Sequence, residues 1–168
     1  MTIHERWMRL ALKEAVRAFD DDEVPVGAVI VQKHTVIAKG HNQVEKMHDP
    51  TAHAEMIALT AAAAHLENKF LKECMLYVTM EPCPMCAGAI VLSRIPTIVF
   101  GCYDPKMGAS GSVLNITENK KLNHRVHVVG GVLDAECGSL VKEFFEKKRK
   151  KAEPQTHKTT KLRNSPFL

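Results

Sequence analysis

The chain has 168 residues, 45% of them hydrophobic, and a formal net charge of +4; that is enough for one complete core and too little for two comfortable domains. The charge is uneven: residues 141–168 hold nine Lys or Arg against three Glu, a net of +6, so the first 140 residues stand at −2. A basic end suits a nucleic-acid contact and a solvated tail equally well. With no run of 18 apolar residues and no apolar signal core, neither a membrane span nor export is expected. Five cysteines, an odd number, argue for a reducing compartment, and the expectation is a soluble cytoplasmic protein.

Met8, Ala11, Leu12, Ala15, Val16 and Phe19 recur at helical spacing, so residues 4–19 read as an amphipathic helix, ended by Asp20 to Glu23. Val24–Val31 is a β-branched apolar run interrupted by Pro25 and Gly27, and Thr35–Ala38 repeats that character after Lys33-His34, the pattern of a β-hairpin. Pro25 cannot donate to a ladder, so the strand's opening residues lie at an edge or outside it. Gly40–His48 reads as a loop leading to a helix over Ala54–Leu66. Residues 74–80 then read as a strand, 84–94 as a helix and Thr97–Phe100 as a strand. The order strand, helix, strand implies crossover connections and a layered α/β sheet. Residues 101–124, with Gly101, Pro105, Gly108 and Gly111, show little periodicity and read as a long loop, of the kind that often carries function in compact domains. Arg125–Val129 is a last strand. Asp134 then caps a closing helix with Cys137, Leu140, Val141, Phe144 and Phe145 on its apolar face and Lys147–Lys151 at its basic end. The domain so read covers residues 1–151, and the tail 152–168 offers no pattern for packing, so disorder is expected there.

Chemistry concentrates in two short segments, His53-Ala54-Glu55 and Pro82-Cys83-Pro84-Met85-Cys86. Cys83 and Cys86 stand three apart, so at the start of a helix both sulfurs face one way and can grip one ion. His53 and Glu55 stand two apart, about 200° around an ideal helix, and cannot both project sideways onto one ligand. Their helix must point its end at it. Asp49 or Thr51 can cap that end, and Pro50 suits a first helical position. Pro82 and Pro84 mark a second helix starting at the cysteines. Two helix N-termini aimed at one point favour thiolate and negative charge, as metal ligation requires. One imidazole and two thiolates with a carboxylate beside them are the donor set of a catalytic zinc whose fourth position is left to water. A redox Cys-x-x-Cys, or a structural zinc completed by Cys74, Cys102 or Cys137, reads alike at this level.

His-x-Glu followed by Pro-Cys-x-x-Cys is similar to the known signature of the zinc nucleobase deaminases. Longer segments narrow the likeness: Glu23-Val24-Pro25-Val26-Gly27-Ala28-Val29, His48-Asp49-Pro50-Thr51-Ala52-His53-Ala54-Glu55 and Glu81-Pro82-Cys83-Pro84-Met85-Cys86-Ala87-Gly88-Ala89. With Val99-Phe100-Gly101, Asp104 and Lys106, Gly111-Ser112, Leu122-Asn123-His124-Arg125 and the Phe144-Phe145 helix, they resemble the bacterial tRNA-specific adenosine deaminases over residues 5–150.

The resemblance implies a three-layer α/β/α sandwich of the cytidine deaminase type, a mixed sheet with helices on both faces, and a homodimer. It implies hydrolytic conversion of the wobble adenosine of an arginine tRNA to inosine, with a tRNA anticodon stem-loop as partner and neither DNA nor a membrane. By residue, it implies that His53, Cys83 and Cys86 hold one Zn2+ per subunit and that Glu55 shuttles protons. Asn42 would hydrogen-bond the flipped base, Val26 would line its pocket, Asp104 and Lys106 would meet the RNA near the target, and Phe145 would help seat the anticodon loop. Met80, Cys102, Lys147 and Lys148 depart from the family's usual residues; the two lysines stand where arginines are expected and lack their planar fork.

Two other readings compete. One is a small-molecule deaminase acting on cytidine, deoxycytidylate or guanine. The other is a non-catalytic zinc-stabilised RNA-binding module, which Glu55 beside the ligands disfavours.

Overall fold

The computed structural model describes residues 1–152; the expected disordered tail lies, but for its first residue, outside the described residues. Helix α1 (Ile3–Asp20) opens with a capping box in which the Thr2 hydroxyl accepts from the Glu5 N–H while the Glu5 carboxylate accepts from the Thr2 N–H. Its buried stripe is Trp7, Met8, Ala11, Glu14, Ala15 and Ala18, so Val16, expected inside, is instead exposed. The stripe is set by small residues because α1 lies directly on the first strand: a Cβ at Gly27 would collide with the backbone of Ala11 and Ala15.

Strands β1 (Gly27–Gln32) and β2 (Thr35–His41) form the expected hairpin. Lys33 and His34 both adopt positive φ, 46° and 63°, which suits the right-handed twist of a two-residue hairpin turn. Pro25 lies outside the strand. The loop expected over 40–48 is shorter, because β2 runs on to His41 and a one-turn helix α2 (Val44–Met47) follows. Next come α3 (Ala54–Leu66), β3 (Cys74–Met80), α4 (Pro84–Leu92), β4 (Thr97–Cys102), β5 (His127–Val129) and α5 (Asp134–Ala152).

The sheet order is β2-β1-β3-β4-β5, with β1 antiparallel to both neighbours and β3, β4 and β5 mutually parallel. Strand alternation divides the core in two. Ala28, Ile30, Leu76, Val78, Ile98 and Phe100 pack against α3 and α4; Val29, Val31, Tyr77 and Val99 pack against α1 and the start of α5. The result is the three-layer, mixed-sheet architecture expected. Helix α3 sits close because Gly40 has no side chain; a Cβ there would strike the backbone of Ala54 and Ala58.

On α5 only Cys137 and Phe144 are buried, and Phe145 is 44% exposed. Consecutive helical residues diverge by about 100°. With Phe144 packed edge-on against Phe19, Phe145 must point elsewhere. Asp134 lies in the first turn of α5 instead of capping it. No helix among the described residues is long and apolar enough to cross a membrane.

Candidate metal and catalytic site

The site forms where β3 ends. His53 is the N-cap residue of α3 and Cys83 that of α4, with Cys86 in the first turn of α4. The two helix N-termini therefore converge, as the spacing of His53 and Glu55 requires. Neither N-cap side chain makes a capping hydrogen bond, which leaves both to face a common point. His53 Nδ1 lies 3.5 Å from Cys83 Sγ and 3.5 Å from Cys86 Sγ, and the three ligand atoms fall within 4.8 Å of one another.

The donor set fits a divalent ion of intermediate softness. Among the described residues no fourth His, Cys, Asp or Glu joins the group. Cys74 lies in the core under α3, whereas Cys102 and Cys137 belong to the opposite core. A closed four-ligand structural site built on any of them is therefore absent among the described residues.

Asp49 and Thr51 do not cap α3. Asp49 Oδ1 instead accepts from the Thr51 N–H at 2.8 Å and its hydroxyl at 2.7 Å, closing their own turn. The first N–H of α3, that of Ala54, donates to Asn42 Oδ1 at 3.1 Å. Because the carbonyl oxygen is taken, the Asn42 amide is left with its NH2 as the group available to a ligand.

Electrostatics follow from crowding these groups together out of water. Hydrogen bonding from Cys86, then from His53, pulls the Cys83 thiol down to about 4 against the opposing effect of burial. The Cys86 thiol is raised, first because its proton is shared with the Cys83 sulfur and then by burial. The hydrogen bond to Cys83 raises His53. Glu55, 3% exposed, is pushed up to about 7, chiefly by burial. A carboxyl poised near neutrality beside an imidazole and two sulfurs can both take and give a proton.

The cluster lies in a cleft of about 970 Å³, large enough for a nucleotide-sized ligand. Val26, Asn42, His53, Glu55, Cys83, Asp104, Lys106 and Phe145 all line it; of the residues singled out from sequence only Cys86, fully buried, does not.

Two carboxylates that sequence reasoning passed over build the walls. Glu81 is buried and accepts from the backbone N–H groups of Asp104, Ser110 and Ser112 at 3.0, 3.1 and 3.0 Å, and from the Ser112 hydroxyl. It pins the long loop over the cleft, and Gly108 is required because a Cβ there would meet the Glu81 carboxylate. Burial works against this carboxylate, but the bonds from Ser112, Asp104 and Ser110 outweigh it and hold its pKa below the ordinary value. Glu23, 1% exposed, likewise accepts from the N–H groups of Glu45 and Lys46 at 3.1 and 2.8 Å and holds α2 at the rim. Glu81 carried a signal, a lone acid directly after an apolar strand, whereas Glu23 was masked as the last of the acidic run Asp20–Glu23.

The model of the MafB19-like deaminase family matches residues 2–149. A Bacillus subtilis protein named tRNA-specific adenosine deaminase is 47% identical over 151 residues, covering 90% of this chain and 94% of the relative. An Aquifex aeolicus protein of the same name is 50% identical over 145 residues, 86% and 95% of the two chains. Among solved structures, one from studies of A-to-I editing by tRNA:A34 deaminases superposes with a TM-score of 0.77 at 39% identity, covering 80% of this chain and 98% of that one. A guanine deaminase from Nitrosomonas europaea, at 24% identity and a TM-score of 0.74 over 86% and 85% of the chains, shares the fold. The chain thus belongs to the MafB19-like deaminases and, within them, to the family of the bacterial proteins named tRNA-specific adenosine deaminase.

Proposed function

We propose that this protein is a zinc-dependent hydrolase that converts the wobble adenosine of a tRNA, in the arginine anticodon loop, to inosine. The observation that carries the reading is the convergence of His53, Cys83 and Cys86 within 4.8 Å, beside a buried Glu55, at the floor of the cleft. His53 Nδ1 and the sulfurs of Cys83 and Cys86 would hold the ion. The chemistry a zinc ion supplies at such a donor set is activation of a water molecule at neutral pH.

The remaining steps fall to the chain's own side chains. Glu55 takes one proton of the attacking water and passes it to a nitrogen of the adenine ring, then takes the second proton from the hydroxyl added at the ring carbon and gives it to the amine, which leaves as ammonia as the C–N bond breaks and the carbonyl forms. The Asn42 NH2 group offers a donor to the base, and Val26 supplies an apolar wall beside it. Asp104, Lys106 and Phe145, on the loop and on α5, lie where they can meet the nucleotides flanking the target. A base within a helical stem cannot enter such a cleft, so a loop nucleotide splayed from its neighbours is the fitting substrate. Phosphate contacts then make binding sensitive to salt.

A homodimer is the fitting assembly. Helix α4 carries no charged residue, yet only Cys86, Ala87, Ile90 and Val91 are buried, and Leu92 on its outer side is 74% exposed. A helix apolar all round asks for cover on both sides. Sedimentation should give a dimer that Leu92→Glu splits. The function itself is tested by incubating the zinc-loaded protein with an arginine anticodon stem-loop and with free nucleosides. Inosine in the stem-loop supports it, and turnover of free nucleosides alone rejects it.

A further inference from the structure

Away from the cleft, Phe70, Lys72, Arg94, Pro96 and His124 enclose a second concavity of about 420 Å³. It lies at the other end of the sheet. Phe70 and Lys72 precede β3, and Arg94 and Pro96 precede β4, whereas the metal cluster follows the end of β3; seven residues of strand separate the two by roughly 20 Å.

Three cations crowd one ring here: Lys69, Lys72 and Arg94 stand 5.1, 5.6 and 5.9 Å from the centre of Phe70. Ring quadrupole attraction holds them together, but like charges this close repel, and among the described residues no carboxylate lines the concavity. None of the three appears in an ion pair among the described residues, where Glu73 is taken by Lys33. Arg94 is also fixed. It adopts φ 61°, a conformation uncommon for a side chain of its size, and its guanidinium donates to the Asn123 carbonyl at 2.8 Å. His124 Nε2 donates to the Ile95 carbonyl at 2.7 Å. The Arg94 guanidinium is thus held in place with donors of its fork remaining, beside two lysines that make no ion pair among the described residues.

We propose that Lys69, Lys72 and Arg94, in the concavity bordered by His124, form a second phosphate-binding site that grips the backbone of the RNA substrate outside the reacting loop. This rests on the reading of the substrate as a tRNA. A rigid guanidinium beside two mobile ammonium groups matches phosphate oxygens, and a separation of roughly 20 Å matches an extended polyanion better than any small molecule.

The test compares Lys69→Glu/Lys72→Glu with the unchanged holoenzyme and with Lys13→Glu on α1, a charge reversal away from both sites. Binding is measured against full-length arginine tRNA and against a short single-stranded oligonucleotide carrying the target adenosine, across a salt series. The expected result is about tenfold weaker tRNA binding and a log–log salt slope shallower by about 1 to 2 for the double variant. Oligonucleotide binding and the melting temperature should be unchanged, and Lys13→Glu should have a much smaller effect. Equal tRNA affinity and slope in the double variant, or equal loss in Lys13→Glu, overturns the second site while leaving the deaminase reading intact. RNA affinity that depends on Lys69 and Lys72 in a protein that forms no inosine keeps the site and rejects the reading. Inorganic phosphate that binds the unchanged protein but not the double variant, with tRNA affinity equal in the two, would assign the concavity to the free anion and overturn the RNA contact.

Discussion

Asn42 Oδ1 accepts the hydrogen bond of the Ala54 N–H at 3.1 Å, tying the end of β2 to the first turn of the helix that carries His53 and Glu55. One side chain thus does two jobs: its oxygen completes a helix terminus, and its NH2 remains for a base. Asn42→Ala should lower stability by about 1–3 kcal/mol, because a buried N–H loses its partner, and should also reduce kcat/KM. Asn42→Asp keeps the acceptor, so thermal melting should recover while activity stays low.

Glu55 is buried beside the ligands but is not one of them. Glu55→Gln should keep one zinc per chain by elemental analysis and lose about 10²–10⁴ in kcat. A variant that retains turnover would remove Glu55 from the role of proton shuttle, whereas a wild-type protein that binds RNA and zinc without any turnover would point to the RNA-binding module.

The cluster without metal holds protons that an ion must displace, since Cys86 is raised and His53 is raised with it. Zinc binding should therefore release protons, and affinity should fall as pH drops from 8 toward 6. Calorimetry in buffers of different ionisation enthalpy reads the proton count. Chelation should abolish turnover, with zinc restoring it.

Glu81 holds Asp104, Ser110 and Ser112. Its pKa is lowered in the folded protein, so its contribution to stability is complete above the unfolded carboxylate value and is lost as pH falls through the folded one. Glu81→Gln should cost about 1–3 kcal/mol at neutral pH and should flatten the acid side of the stability profile, as followed by urea melts between pH 3 and 7.

Neighbours on α5 should separate cleanly. Phe144 is 4% exposed and packs on Phe19, so Phe144→Ala should cost about 3–5 kcal/mol. Both rings border the cleft, but Phe145 is 44% exposed; Phe145→Ala should leave the melting temperature nearly unchanged and weaken tRNA binding.

The convergence of His53, Cys83 and Cys86, with Glu55 beside them, and the existence of every strand and long helix were legible in the linear chain, because each rests on local physics: period-2 and period-3.6 patterning, prolines at helix starts, and the angle that two helical residues subtend. The requirement that α3 aim its end at His53's partner was likewise set by spacing alone. What no spacing could supply was how distant groups are shared. The oxygen of Asn42 goes to Ala54, Glu81 anchors a loop more than 20 residues away, and Cys74, Cys102 and Cys137 are carried off from the His53, Cys83 and Cys86 cluster by the strands and helix that hold them. Which of Phe144 and Phe145 turns inward was equally hidden, since both satisfy the apolar pattern and only the position of Phe19 selects one. Local preference decides the conformation of a segment; the pairing of buried polar groups is decided by the packing of elements that are far apart in sequence, because a buried donor or acceptor is stable only where the fold brings it a partner.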